Sequence, residues 1–198
     1  MLKMYRYPEQ RATIARRWTK APTGDPELDR VVWEIIDAVR SGGAKALADY
    51  TERFDGVRLT PATMRIPPEK LEEAWESSPR DLQQALTTAY KRILRFHRRQ
   101  KPRGFRLRET SGAVLEQRFL PLQSVGLYVP GGKAAYPSTV LMCAAPAVVA
   151  GVERVVMVTP PHGDMDLAKR ATWGAAWLAG GREAYCVGGA QAGAALAF

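Results

Sequence analysis

Two glycine loops are the residues of this chain best placed to hold a ligand. Gly131-Gly132-Lys133 follows an apolar run from Val125 to Val129, and Gly188-Gly189 follows another from Glu183 to Val187. Between a strand and a helix, backbone N–H groups and a helix terminus can hold a phosphate. Neither loop fits a phosphate fingerprint. Five residues separate Gly126 from Gly132 where the phosphate-loop pattern has four, and Ala134 stands where a magnesium-binding hydroxyl is needed. The dinucleotide pattern G-x-G-x-x-G is absent as well. Tight turning from strand to helix explains these glycines as well as ligand contact does.

The remaining reactive side chains are few. The histidines, His97 and His162, have no metal-ligand partner three or four residues away. His97 falls on the apolar stripe of a helix and reads as a packed residue, whereas His162 follows Pro160-Pro161 in a loop. Cys143 lies early in a helix, where a thiol pKa can be lowered, but Leu141, Met142 and Ala144 around it favour a structural thiol. Cys186 closes an apolar run, and Asp164 and Asp166 read as a solvated helix start. This inventory supplies no general base and no metal site.

The elements that must position these loops form two textures. Through the first half the pattern is helical. Asp25-Pro26-Glu27 opens a helix whose Val31, Val32, Ile35, Ile36 and Val39 share a face, and Gly42-Gly43 breaks it. Ala44 to Phe54, Pro68 to Trp75 and a stretch from Ser78-Pro79 to Gln100 predict further helices, the last with Leu82, Leu86, Ala89, Ile93 and His97 on one stripe. Gly112 to Leu120 predicts a strand or hairpin arm. From Ser124 glycine and alanine become frequent and strands alternate with helices. Val125–Val129, Arg154–Thr159 and Glu183–Val187 predict strands, and Pro137-Ser138 is expected to cap a helix from Thr139 to Ala150. Repeated strand–helix units argue for a parallel sheet with right-handed crossovers.

The fold class expected is therefore α/β: a helical amino-terminal region, residues 1–108, followed by a Rossmann-like parallel sheet of βα units, residues 109–198, incomplete at the carboxyl end. Incompleteness is expected because the helix begun at Ala190 presents Ala192, Ala195, Leu196 and Phe198 with nothing assigned to cover them. That pattern reads as a truncated chain.

Composition narrows the function classes. Hydrophobic residues make up 46% and charged residues 25%, the balance of a globular domain. No apolar run is long enough for a membrane span, and the amino terminus lacks the apolar core of a secretory signal. Two cysteines without CxxC spacing fit a reducing cytoplasm. The net charge of +9 is concentrated: nine basic residues lie between Lys91 and Arg108. With Tyr90, Phe96 and Phe105 among them, they offer a nucleic-acid surface as an alternative reading. Apolar Ile93, Leu94 and Phe96 at helical spacing favour instead a solvated helix face followed by an exposed strand. A non-catalytic scaffold docked to a full-length partner is a third reading.

The segment VGLYVPGGKAAYPSTVLMCAAPAVVAGVERVVMVTPP, Val125 to Pro161, closely resembles the histidinol dehydrogenase family, and VGGAQAGAALAF, Val187 to Phe198, matches a second family motif. Weaker matches run through DAVRSGG, ADYTERFDGV and FHRRQ in the family's order. The resemblance implies a homodimeric enzyme that oxidises L-histidinol to L-histidine in two NAD-dependent steps, with zinc holding the substrate. It places Tyr128 and Gln191 at the family's NAD-contacting positions. The family's zinc ligands and acid/base pair lie beyond Phe198, so the resemblance implies NAD binding without catalysis. Cys143 and Gly193 depart from the family pattern, near the implied cofactor edge.

Overall fold

The computed structural model describes residues 4–18, 24–131, 135–161 and 167–198. Its first helices are α1 (Arg11–Trp18) and α2 (Pro26–Asp55). Asp25 caps α2 by accepting a hydrogen bond from the Glu27 N–H at 3.0 Å. The break expected at Gly42-Gly43 is present: Gly43 has φ +56°, a left-handed conformation that glycine adopts without strain, and α2 is two helices joined there.

A short helix, α3 (Pro61–Met64), leads directly into β1 (Arg65–Ile66). This strand pairs antiparallel with a later one, Ile66 opposite Ala184. The helical pattern gave no sign of it, because two residues cannot display an alternation. Helices α4 (Pro68–Glu76) and α5 (Arg80–Gln100) follow. Ser78, where the helical stretch was expected to begin, stays outside α5. Its hydroxyl donates backwards to the Ala74 carbonyl at 2.7 Å, closing the end of α4, and Pro79 takes the cap position of α5.

Strands β2 (Phe105–Arg108) and β3 (Val114–Gln117) form an antiparallel hairpin separate from the main sheet. The expected hairpin arm and exposed strand are thus two halves of one ribbon, which straddles Arg108. Every residue in it is exposed.

The rest is the expected strand–helix alternation: β4 (Ser124–Tyr128), α6 (Pro137–Ala150), β5 (Arg154–Thr159), α7 (Leu167–Leu178), β6 (Glu183–Cys186) and α8 (Gly189–Ala197). Strands β4, β5 and β6 are parallel, and the sheet order is β1-β6-β5-β4. Ser138 lies inside α6, whose cap position is Tyr136. Alternate residues of β5 serve opposite faces. Met157 joins Leu71 of α4, Leu86 of α5, Leu141 of α6 and Ala175 of α7 in one core. Val158 joins Leu47 of α2, Met64 of α3 and Ala192 of α8 in another. A strand covered on both faces reads as a continuous apolar run, which is why RVVMVT carries no alternation.

The face of α8 left uncovered in the sequence reading is covered only in part: Ala192 is buried and Leu196 half-buried, but Ala195 and Phe198 stay exposed, Phe198 at 68%. From far upstream, Ile35 and Val39 of α2 bury Ala194. Leu196 packs so closely on β4 that a Cβ on Gly126 would lie 2.6 Å from its Cδ1. No helix among the described residues is long and apolar enough to cross a membrane.

Candidate functional site

The carboxyl ends of the parallel strands bring the candidate residues together. Tyr128 ends β4, Thr159 ends β5 and Cys186 ends β6, in a register that sets Tyr128 opposite Val158 and Thr159 opposite Cys186. In an open parallel sheet this is the edge where ligands bind, because βα loops and helix amino termini converge there.

Two loops meet across β5. The Tyr128 hydroxyl accepts a hydrogen bond of 3.1 Å from the Gly189 N–H, tying the end of β4 to the start of α8. Gly189 has φ +63°, and Gly188 lies so close to β5 that a Cβ would sit 2.5 Å from Pro160 Cγ. Glycine at both positions is therefore a requirement of the turn and of the close approach. The Tyr128 ring remains 43% exposed, open to stacking by a ligand.

Gln191, in the first turn of α8, folds back over Gly189, where its amide would clash with any Cβ. It is 1% exposed, and among the described residues neither Oε1 nor Nε2 has a hydrogen-bond partner. The Thr159 hydroxyl, at the same edge, is buried and unpartnered too. Each such group costs about 1–3 kcal/mol when left unsatisfied. Orphaned polar atoms concentrated where a parallel sheet binds ligands are the marks of a binding site. The sequence reading missed Thr159; its place as the last strand residue before Pro160-Pro161 was the available signal.

The residues fit a dinucleotide. An exposed tyrosine ring, a glycine loop admitting close backbone approach and an amide able to donate and accept suit its rings and polar groups. Among the described residues no three His, Cys, Asp or Glu side chains come together as metal ligands would. His97 lies half-buried in the last turn of α5, edge-on to Phe96 with ring centroids 5.5 Å apart. Cys143 is half-buried against the core. Burial pushes the Cys186 thiol up, against the opposing charge of Lys169, so it stays a neutral thiol at pH 7. Gly132, Lys133, His162, Asp164 and Asp166 lie outside the described residues.

The family model for histidinol dehydrogenase matches residues 19–198. The histidinol dehydrogenase of Prochlorococcus marinus (strain MIT 9313) is 52% identical over 167 residues, covering 84% of this chain and 37% of the relative. That of Chlorobaculum tepidum is 40% identical over 198 residues, covering 100% and 46% respectively. The crystal structure of histidinol dehydrogenase from Elizabethkingia anophelis superposes with a TM-score of 0.78 at 31% identity, over 88% of this chain and 39% of that one. The chain thus spans less than half the length of these relatives. By sequence and by fold, the chain belongs to the histidinol dehydrogenase family.

Proposed function

We propose that this chain forms the dinucleotide-holding part of a histidinol dehydrogenase, with Tyr128 and Gln191 contacting NAD. The observation that carries the reading is the unpartnered, buried Gln191 amide beside the Gly188-Gly189 turn, in a chain of this family. Bound at this edge, NAD supplies the hydride acceptor for oxidation of L-histidinol through the aldehyde to L-histidine. The chain's own contribution is binding and orientation. The Tyr128 ring offers a stacking surface, the glycine turn lets the backbone approach, and the Gln191 amide fixes a polar group of the ligand. The described residues present no acid/base pair at this edge, so the reading assigns them no proton transfer and no contact to zinc. On its own the chain is proposed to be inactive.

The division into residues 1–108 and 109–198 belongs to the same proposal, with helices of the first segment covering a sheet to which it also lends the edge strand β1. A homodimer and a cytoplasmic location also enter with the family reading. Equilibrium dialysis tests the cofactor, and ultraviolet detection of reduced cofactor tests catalysis. NAD is expected to bind, and L-histidinol with zinc is expected to give no reduction. Reduction by the chain alone would refute the inactivity, and no NAD binding would refute the cofactor role.

The run from Lys91 to Arg108, with all nine basic residues exposed, favours one second reading, a phosphate-backbone surface. A gel shift that weakens steeply with salt would support it.

A further inference from the structure

The Gln191 amide is the least satisfied group in the described core. Its oxygen can accept and its nitrogen can donate, so the orphaned pair presents an acceptor and a donor side by side. The adjacent Gly189 N–H, which opens α8, is held by the Tyr128 hydroxyl at 3.1 Å. That hydroxyl belongs to a residue that is 43% exposed. One polar group of the helix start is therefore covered by a half-exposed side chain, and the one beside it has no partner among the described residues.

The chemistry of the amide restricts what can satisfy it. A phosphate oxygen accepts only: it would use Nε2 and leave Oε1 orphaned. Both atoms are satisfied by a donor–acceptor edge, such as a carboxamide or the amino and ring-nitrogen edge of adenine. We propose that Gln191 reads such an edge on the ligand, and that the Tyr128 hydroxyl holds the Gly189 N–H until the ligand takes it. This rests on the dinucleotide reading, since NAD carries such an edge at each end, nicotinamide carboxamide and adenine. It goes further by assigning Gln191 to a base rather than to the diphosphate, and the Tyr128 hydroxyl to the protein's own loop in the free state.

The test uses the intact isotope-labelled chain, titrated with NAD, nicotinamide mononucleotide and AMP. Two probes lacking the donor, nicotinic acid mononucleotide and purine riboside monophosphate, complete the set. NAD is expected to move the Gln191 side-chain NH2 resonances. One mononucleotide reproduces that shift, and its donor-free counterpart binds about tenfold or more weakly, since a polar site rejects an analogue that leaves it unpaired. Gln191→Leu removes the orphaned pair at similar volume, so it raises the melting temperature while weakening NAD binding by a similar factor of about ten or more. Tyr128→Phe strips the Gly189 amide of its protection from hydrogen exchange in the free chain, and NAD restores it.

The edge assignment is overturned if NAD binds but Gln191→Leu binds it equally, or if the donor-free probes bind as well as their parents. A lowered melting temperature in Gln191→Leu would make the amide structural and end the proposal. Gly189 protection unaffected by Tyr128→Phe would end the holding role. Those results leave NAD binding by the chain standing, but equal binding by Gln191→Leu or a structural amide removes Gln191 as a contact. If the wild-type chain binds none of the probes at millimolar concentration, that reading falls and this proposal falls with it.

Discussion

The central strand β5 and the hairpin β2–β3 are both rich in apolar residues, yet one is buried and the other exposed. In β5, Met157 and Val158 serve cores on opposite faces of the sheet. In the hairpin, register puts Phe105, Leu107, Leu115 and Gln117 on one face and Arg106, Arg108, Glu116 and Val114 on the other. Even the apolar face is half-exposed, with Leu107 and Leu115 both at 53%. The difference lies in what each strand has beside it. A two-stranded ribbon has one paired edge per strand and no layer over it, and such ribbons are marginal in water. Burial is decided by neighbours, not by a strand's own hydropathy.

Substitutions that probe the two regions should separate widely. The largest effect is expected for Met157→Ala, which opens a cavity where four helices meet the sheet. It should destabilise by about 2–5 kcal/mol in urea unfolding. A loss below that of a surface substitution would mean that β5 is not the core the contrast requires. Next is Gly126→Ala, whose methyl must displace Leu196 from β4; overpacking of this kind costs about 1–3 kcal/mol, read as a lowered melting temperature. Gly193 lies on the same helix as Leu196, but nothing surrounds a Cβ built there. Gly193→Ala should therefore stabilise by about 0.5–1 kcal/mol in the same melts. Leu107→Ala in the hairpin should change stability by no more than about 0.5 kcal/mol, as for an exposed site. A larger loss would show that the ribbon packs against something in solution.

A pH dependence sharpens the contrast at the other end of the sheet. Arg154 at the start of β5 makes a bidentate pair with Glu183 of β6, at 2.6 and 2.9 Å. The Arg154 hydrogen bonds, with a further one from Tyr185, hold the Glu183 carboxyl below its usual range against some desolvation. A depressed folded-state pKa gives stability that is present above the unfolded carboxylate pKa and is lost as pH falls through the folded value. Glu183→Gln should thus unfold slightly more easily than the parent at pH 7, and equally at a pH where the Glu183 carboxyl is protonated in both the folded and the unfolded state. A difference that persisted unchanged in acid would reject the ion pair as its source.

Much of the fold was legible along the chain. Asp25, Pro26 and Gly43 mark a helix and its break through local rules, and the three strand–helix units announce a parallel sheet. Local rules also misled. Ser78 next to Pro79 reads as a cap, but its hydroxyl finds the Ala74 carbonyl of the preceding helix. The two-residue strand β1 had no pattern to show. The site was legible only in part: glycine spacing marked the turns, and the family resemblance singled out Tyr128 and Gln191, whereas Thr159 was marked only by its place before Pro160-Pro161.

By itself, then, the sequence determined the local elements and the family, because caps, breaks, strand runs and motif order are properties of neighbouring residues. Tertiary structure decided what those elements meet. It set α2 over a helix some 150 residues downstream, joined Tyr128 to Gly189 across a strand, and left the Gln191 amide buried without a partner. Such contacts depend on how twisted sheet and crossover helices pack in three dimensions, and no window along the chain encodes them.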